Sequence, residues 1–302
     1  MIGISKNKLF AWTILISLVI VWGSSFILIK KGLDYYSPLQ LGTLRMSIAF
    51  LCLAPLAFTR LKGIDKQSLF FLFISGFIGS AIPAVFFSLA EVGLDSSTAG
   101  VLNSLTTVFT LLVGISFFSY KTGWINALGV FIGLAGAIGL LSISGGNAFN
   151  FNLKYGIWVI LATIMYAFNG NIIKHKLKEI DPVTITVLAF TFAGVPSILI
   201  LLLGTDFIHL MSHDKVAWQG LIYVALLAVF GTAIAMIFFN KLIKKTTAVF
   251  ASSVTYLMPV VAILWGAIDG EKFDYSYFIW IILILAGVIM VGYRKYNAES
   301  SL

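Results

Sequence analysis

Long apolar runs separated by short polar breaks set the architecture of this chain. Windows of about 20 apolar residues are long enough to cross the ~30 Å hydrocarbon core as a helix. They fall at 10–30, 38–58, 68–91, 95–118, 122–142, 153–174, 182–204, 217–241, 246–269 and 275–293. The runs are continuous, without the period-two alternation of a membrane barrel strand, so helices are expected. The narrowest break lies between the third and fourth runs, where Glu91 and Asp95 are the only charges. The expected fold is an all-α integral membrane protein with ten transmembrane helices and no soluble domain.

The runs repeat. The stretch from Thr246 to Glu271 echoes the one from Leu94 to Tyr120 at a shift of 152 residues. Just upstream, Gly79-Ser-Ala-Ile-Pro-Ala-Val-Phe-Phe87 lies over Gly231-Thr-Ala-Ile-Ala-Met-Ile-Phe-Phe239, identical at five of nine positions. The openings of the two halves match at a shift of 144: Lys30 over Lys174, Leu33 over Leu177, Pro38 over Pro182. The chain therefore divides into two copies, 10–142 and 153–293, of five spans each. Five is odd, so the second copy enters the membrane from the opposite side. Inverted repeats suit a carrier, because two antiparallel copies can exchange conformations and open to each side in turn. The competing reading is a duplication that only stabilises a membrane protein.

Composition agrees. The 302 residues are 60% hydrophobic and 11% charged, against about 25% charged in a soluble domain. The net charge of +8 sits in short loops and is a poor sign of nucleic-acid binding; the expected partners are membrane lipids and a small-molecule substrate. With the N-terminus inside, inner loops carry 14 Lys or Arg and outer loops 5, Arg45 lying within a span. That bias places both termini in the cytoplasm and the chain in the cytoplasmic membrane; Lys30-Lys31 is a local exception. The first run follows Lys6 and Lys8 like a signal peptide, but it is long, lacks a small-x-small cleavage site, and is read as retained. Cys52 is the single cysteine, so no intrachain disulfide or Cys-based metal site is expected. There is no nucleophile–base constellation, phosphate-cradling glycine loop or HExxH, so neither enzyme nor cofactor is expected. His209 and His213 are four apart, a metal spacing on a helix, but no third ligand is near, and no metal site is expected.

Arg45 is the one charge well inside a span, where it costs about 2.5–3.5 kcal/mol on the insertion scale. It is read either as a handle for a substrate carboxylate or phosphate or as a scaffold that caps carbonyls or reaches headgroups. No Asp or Glu lies mid-span; Glu91, Asp269 and Glu271 sit at ends. That weakens proton-driven antiport and the binding of permanently cationic drugs, and leaves facilitation, exchange or coupling through an end-of-span acid. Uncharged polar residues recur in matching spans: Trp22-Gly23-Ser24-Ser25 and Tyr166-Ala-Phe-Asn169-Gly-Asn171, then Asn103, Thr106 and Thr107 opposite Ser252, Ser253, Thr255 and Tyr256. Such groups line pathways or act as helix–helix glue worth about 0.6 kcal/mol each. The candidate substrate-binding set is Arg45, Trp22, Asn103, Tyr166, Asn169, Thr255 and Tyr256. Pro83, Pro196 and Pro259 lie inside spans and serve as kinks or hinges. Gly129, Gly133, Gly136 and Gly139 read as a packing stripe, as do Ala286-Gly287 and Gly292. Phe86, Phe87, Phe238, Phe239 and Trp265 wall a pocket or face lipid.

These residues resemble a known family. Val21-Trp-Gly-Ser-Ser-Phe26, Arg45, Leu102-Asn-Ser-Leu-Thr-Thr-Val-Phe109, Tyr256-Leu-Met-Pro-Val260, Gly270-Glu271 and the stripe from Gly129 to Gly136 are similar, in order and in duplication, to the EamA repeat of the drug/metabolite transporter superfamily. The resemblance implies a ten-helix inner-membrane carrier, usually an exporter of amino acids or other small metabolites. It also implies a basket formed by spans one, three, four and six, eight, nine, with five and ten packing at the pseudo-two-fold interface. Two departures stand out: Thr107 where the second copy has Pro259, and no acid beside Tyr120 to match Glu271. The first span also lacks the glutamate of the similar small multidrug resistance proteins, which weakens drug/proton antiport. The expected function is transport of a small organic metabolite such as an amino acid by alternating access, with export the expected direction. The alternatives are a carrier of lipid-linked or phosphosugar substrates, a drug exporter, and, outside transport, a membrane-embedded enzyme or sensor.

Overall fold

The computed structural model describes residues 6–94, 96–143, 153–268 and 277–292. Among them every regular element is a helix. Seven helices are long and apolar enough to cross a membrane: α1 (Leu9–Leu33), α2 (Pro38–Arg60), α3 (Lys66–Glu91), α4 (Thr98–Phe118), α6 (Leu153–His175), α7 (Pro182–Leu203) and α8 (Ala217–Lys245). Three apolar helices are shorter over the described residues: α5 (Trp124–Gly139), α9 (Ala248–Val261) and α10 (Phe278–Gly292). The ten expected spans thus correspond to seven helices of spanning length and three shorter ones. Asp269, Gly270 and Glu271 lie outside the described residues, as does Asp95.

The helices begin where side chains can satisfy their first free amides. Ser37 accepts from Gln40 N at 3.3 Å while Gln40 Oε1 accepts from Ser37 N at 2.9 Å, a reciprocal box that starts α2. At the matching place, Asp181 accepts from Val183 N at 3.0 Å and Thr184 N at 3.2 Å to start α7. Each cap precedes a proline, Pro38 or Pro182, whose missing N–H costs nothing in a first turn.

Five of the apolar runs are not uniform α-helix. α1 is interrupted after Gly23, α4 at Ser104 and α9 at Ser253. α3 and α8 each contain a π-helical stretch, Phe77–Ala81 and Val229–Ile234. Pro83 follows the first π stretch, but its counterpart in the second copy is Ala235, so proline alone does not cause the distortion. Pro196 and Pro259 lie inside their helices.

The two halves interlock. α5 packs on α10, α2 on α7, α3 and α4 on α6, and α8 and α9 on α1. Each pairing maps onto itself or onto another when the copies are exchanged. Counterpart helices run antiparallel. Arg60 at the end of α2 meets Asp181 at the start of α7 at 3.2 Å, and Gln40 near the start of α2 donates to Asp206, beyond the end of α7, at 2.7 Å. On α5, a Cβ at Gly129 would meet Met290 Cβ at 2.7 Å and one at Gly136 would meet Ile284 Cγ1 at 2.7 Å, so rising numbers on α5 meet falling numbers on α10. The glycine stripe is what brings these two backbones together.

One end of the bundle carries Arg60, Lys174 and Lys244; the other carries Lys30, Tyr36 and Glu91. At the Lys30 end, the Tyr36 hydroxyl donates to Ala217 O at 2.5 Å. Burial pushes this phenol up to about 12. His209 and His213 stack on one another at 4.1 Å in the exposed short helix Phe207–His213. Among the described residues no group of three or more potential ligands gathers around them.

Candidate functional site

A cavity of ≈ 110 Å³, measured as the space open to water centres, lies where the halves meet. One water needs about 10–15 Å³ by that measure, so the cavity has room for a small organic molecule or several waters. Its walls come from α1, α3, α4, α6, α8 and α9, together with Arg45 and Met46 of α2. Spans one, three, four, six, eight and nine make up the basket expected from the resemblance, and α2 is an addition to it.

The two π stretches shape the walls. Each extra residue displaces the i→i−4 ladder and leaves polar groups turned sideways. The Thr232 hydroxyl donates to Leu227 O, five residues back, at 2.9 Å. Trp22 Nε1 donates to Gly231 O at 2.8 Å, so α1 is held by a carbonyl of the distorted turn. The relation repeats across the copies. A Cβ on Gly231 would meet Ser25 Oγ at 2.8 Å, and one on Gly79 would overlap the amide of Asn169. Ser25 and Asn169 are counterparts at the 144 shift, and Gly79 and Gly231 at the 152 shift.

Six of the seven candidate residues line the cavity: Arg45, Trp22, Asn103, Tyr166, Asn169 and Thr255. Trp22 meets Phe239 edge-on at 5.0 Å, and its counterpart Tyr166 stacks on Phe87 at 6.1 Å. Asn103 and Thr255, also counterparts, sit at the crossing of α4 and α9. There Asn103 Nδ2 reaches Met258 Sδ at 3.7 Å, the Ser104 hydroxyl donates to Thr255 O at 3.1 Å, and the Thr107 and Thr255 hydroxyls lie 3.3 Å apart. Asn169 Oδ1 is buried with no hydrogen-bond partner among the described residues, an acceptor at the cavity that a donor could satisfy.

Tyr256 is the exception and corrects the expectation. It is fully buried, its hydroxyl donates to Val130 O at 2.7 Å, and its ring fills the space left by Gly133. It holds α9 to α5 and does not face the cavity. One residue along a helix turns a side chain by about 100°, and neighbouring Thr255 takes the cavity side.

Arg45 Nε donates to Thr232 Oγ1 at 2.6 Å. Among the described residues it makes no ion pair with any acid. Its counterpart at the 144 shift is Ala189, so the positive charge breaks the two-fold symmetry of the cavity. The aromatic expectation divides: Phe87 and Phe239 line the cavity, whereas Phe238 and Trp265 are exposed on the bundle surface. Sequence reasoning named Ser25 among the polar pathway groups but gave no role to Ser80 and Thr232; all three are cavity-lining. The signal was present in the Gly-Ser/Thr-Ala-Ile identity of the repeats, but only the π geometry turns those hydroxyls and glycines inward.

The family model described as the EamA-like transporter family matches residues 9–142 and again 153–293. The chain belongs to this family. Among similar proteins, an uncharacterized inner membrane transporter, YedA, of Escherichia coli (strain K12) is 28% identical over 287 residues, covering 93% of this chain and 90% of that one. An uncharacterized transporter of Archaeoglobus fulgidus is 26% identical over 259 residues, covering 85% and 89%. A probable terminal-alkyne amino-acid exporter of Streptantibioticus cattleyicolor is 23% identical over 295 residues, covering 94% and 93%. A solved crystal structure at 16% identity superposes with a TM-score of 0.71 over 96% of this chain and 98% of that one, which shows a shared fold. Membrane transport is thus the general function that the family and its named members support.

Proposed function

We propose that this chain is a carrier of ten spans in two inverted five-helix repeats, 10–142 and 153–293, set in the cytoplasmic membrane with both termini in the cytoplasm. It moves a small organic metabolite, such as an amino acid, outward by alternating access around the central cavity. Arg45 binds an anionic group of the substrate. Trp22, Asn103, Tyr166, Asn169 and Thr255 contact the remainder through ring faces, amides and a hydroxyl. Antiparallel packing of counterpart helices supports the inverted arrangement, and the printed name of the Streptantibioticus relative supports an amino-acid-like cargo.

The observation that carries the reading is Arg45: a guanidinium at a cavity wall, bound among the described residues to one hydroxyl and to no carboxylate. A scaffold arginine would spend its donors on carbonyls or acids. Free N–H groups facing a cavity instead favour a planar carboxylate, which accepts from them in a fork.

A thermal-shift screen of the purified protein against amino acids, organic acids, nucleosides and vitamins tests this. A ligand at 100 times its dissociation constant stabilises by about 2.7 kcal/mol. The expected hits carry a carboxylate, and Arg45→Gln weakens them by tenfold or more, since a hydrogen bond to a charged group contributes about 1.5–3 kcal/mol. Hits that bind Arg45→Gln equally well would return Arg45 to a structural role.

A further inference from the structure

One buried acid has no part in the reading above. Glu91 ends α3 and is 5% exposed. It follows Ala84 and Phe87, both at the cavity wall, at spacings of three and four residues. The three side chains share one face of the helix, and Glu91 lies one turn beyond the wall, toward the Lys30 end. Its Oε2 accepts from the Ser96 hydroxyl at 3.4 Å; its Oε1 has no hydrogen-bond partner among the described residues. No cation approaches within ion-pair distance among the described residues.

The groups around it are few. Lys30 of α1 and Arg45 of α2 act on it through their charges at longer range. From α6, Tyr166 stacks on Phe87, Tyr155 lies against Gly93, and the Lys154 ammonium sits over the Tyr155 ring at 5.8 Å. The span α4 has no titratable side chain. An ionised carboxylate here would exchange its hydration for one long hydrogen bond, a poor exchange in a low-dielectric site. The Ser96 hydroxyl, the Lys30 charge and the Arg45 charge are the groups that favour its ionised form, and of these Arg45 faces the cavity.

We infer that Glu91 is a proton-binding site that loads together with the anionic group at Arg45. This rests on the proposed role of Arg45 and extends it. With the cavity empty, the guanidinium charge favours the ionised acid. When a substrate carboxylate takes the guanidinium, two carboxylates share one cation and repel. The less solvated of the two, Glu91, then takes a proton from the water at the open face. One proton and one negative charge enter together, no net charge is added, and both leave when the cavity opens to the other side. Export of a carboxylic acid by this route is electroneutral and runs down the gradient of the acid.

Infrared spectroscopy of the purified protein in lipid tests this without a known substrate. Wild-type minus Glu91→Gln difference spectra, taken across neutral pH, are expected to show the C=O stretch of one protonated carboxyl that fades on alkalinisation. Its midpoint is expected to rise in Arg45→Gln, a gain in proton affinity. A spectrum with no such band above the ordinary carboxylate range overturns the inference, and so does a midpoint that Arg45→Gln leaves in place. If Glu91→Gln does not fold, Glu91→Asp is read instead, where the band must shift its frequency or midpoint. Failure of the carrier reading looks different: the band titrates as expected, but no carboxylate in the thermal-shift screen perturbs it.

Discussion

Lys174 and Lys30 are counterparts in the two copies, and they are in opposite states. The Lys174 ammonium donates to the carbonyls of Ile243 at 3.0 Å, Lys244 at 3.1 Å and Thr246 at 2.5 Å, capping the end of α8. Lys244 donates in return to Leu177 O. The counterpart of that α8 end is the stretch from Glu91 to Leu94, and Lys30, beside it, is exposed and makes no hydrogen bond among the described residues. The Arg60 end thus carries a lysine latch that the Lys30 end lacks, where Tyr36 and Gln40 make the bonds between the halves instead. In an inverted repeat, exchanging these two states is what opening to the other side requires.

Lys174→Met is therefore expected to loosen the Arg60 end. In a Cys52→Ser background, a cysteine at Ala248, which lines the cavity, should be alkylated about tenfold faster when Lys174 is replaced. The factor follows from losing charge-assisted hydrogen bonds of about 1.5–3 kcal/mol. An unchanged rate would show that Lys174 caps α8 without closing that end.

Gly79→Ala is expected to be damaging and Gly100→Ala mild. A Cβ on Gly79 would overlap the Asn169 amide inside the wall, whereas at Gly100 the nearest atom is Phe26 Cε2 at 3.5 Å. Overpacking of this kind costs about 1–3 kcal/mol. Melting temperatures in detergent, with ligand affinity, compare the two; equal effects would mean that α6 and α3 have slack between them.

Tyr256→Phe is expected to lower stability by about 1 kcal/mol, the usual value of one buried hydrogen bond, while leaving ligand affinity as in the wild type. Asn103→Ala should do the reverse. A Tyr256→Phe protein that melts normally but binds poorly would place the phenol at the substrate after all.

Acid destabilisation should run partly through Asp181. Burial pushes its pKa up, but the bonds from Thr184 and Val183 and the charge of Arg60 outweigh this and hold it below the usual carboxylate value. A depressed folded value stabilises above the unfolded pKa of about 3.9, and that contribution is lost as pH falls through the lower folded value. Asp181→Ala should cost about 0.5–2 kcal/mol near neutral pH through loss of the cap. Its melting temperature should then fall less steeply than the wild type's below pH ~4. Parallel acid limbs would show that the cap contributes nothing through its charge.

Much of the site was legible in the sequence because apolar runs, caps and repeats are local or periodic signals. Trp22 and Tyr166, Asn103 and Thr255 can be paired by counting alone, and all four line one cavity. The ends of α2 and α7 can be read from Ser37-Pro38 and Asp181-Pro182. Tyr256 could not be separated from Thr255 by the same means, because adjacent helical residues face different neighbours and only packing against Gly133 decides which one turns inward. The π stretches left no proline signature in the second copy, and the close fit of Trp22, Ser25 and Asn169 against Gly79 and Gly231 brings together distant parts of the chain. By itself the sequence determined a duplicated, helical, membrane-embedded chain with one arginine inside a span, since those properties follow from residue type and order. The tertiary structure alone decided that Arg45 meets the cavity without an acid, that Glu91 is buried behind it, and that one end is latched. Each of these depends on which helices touch, and burial and charge pairing are properties of contacts that no single segment carries.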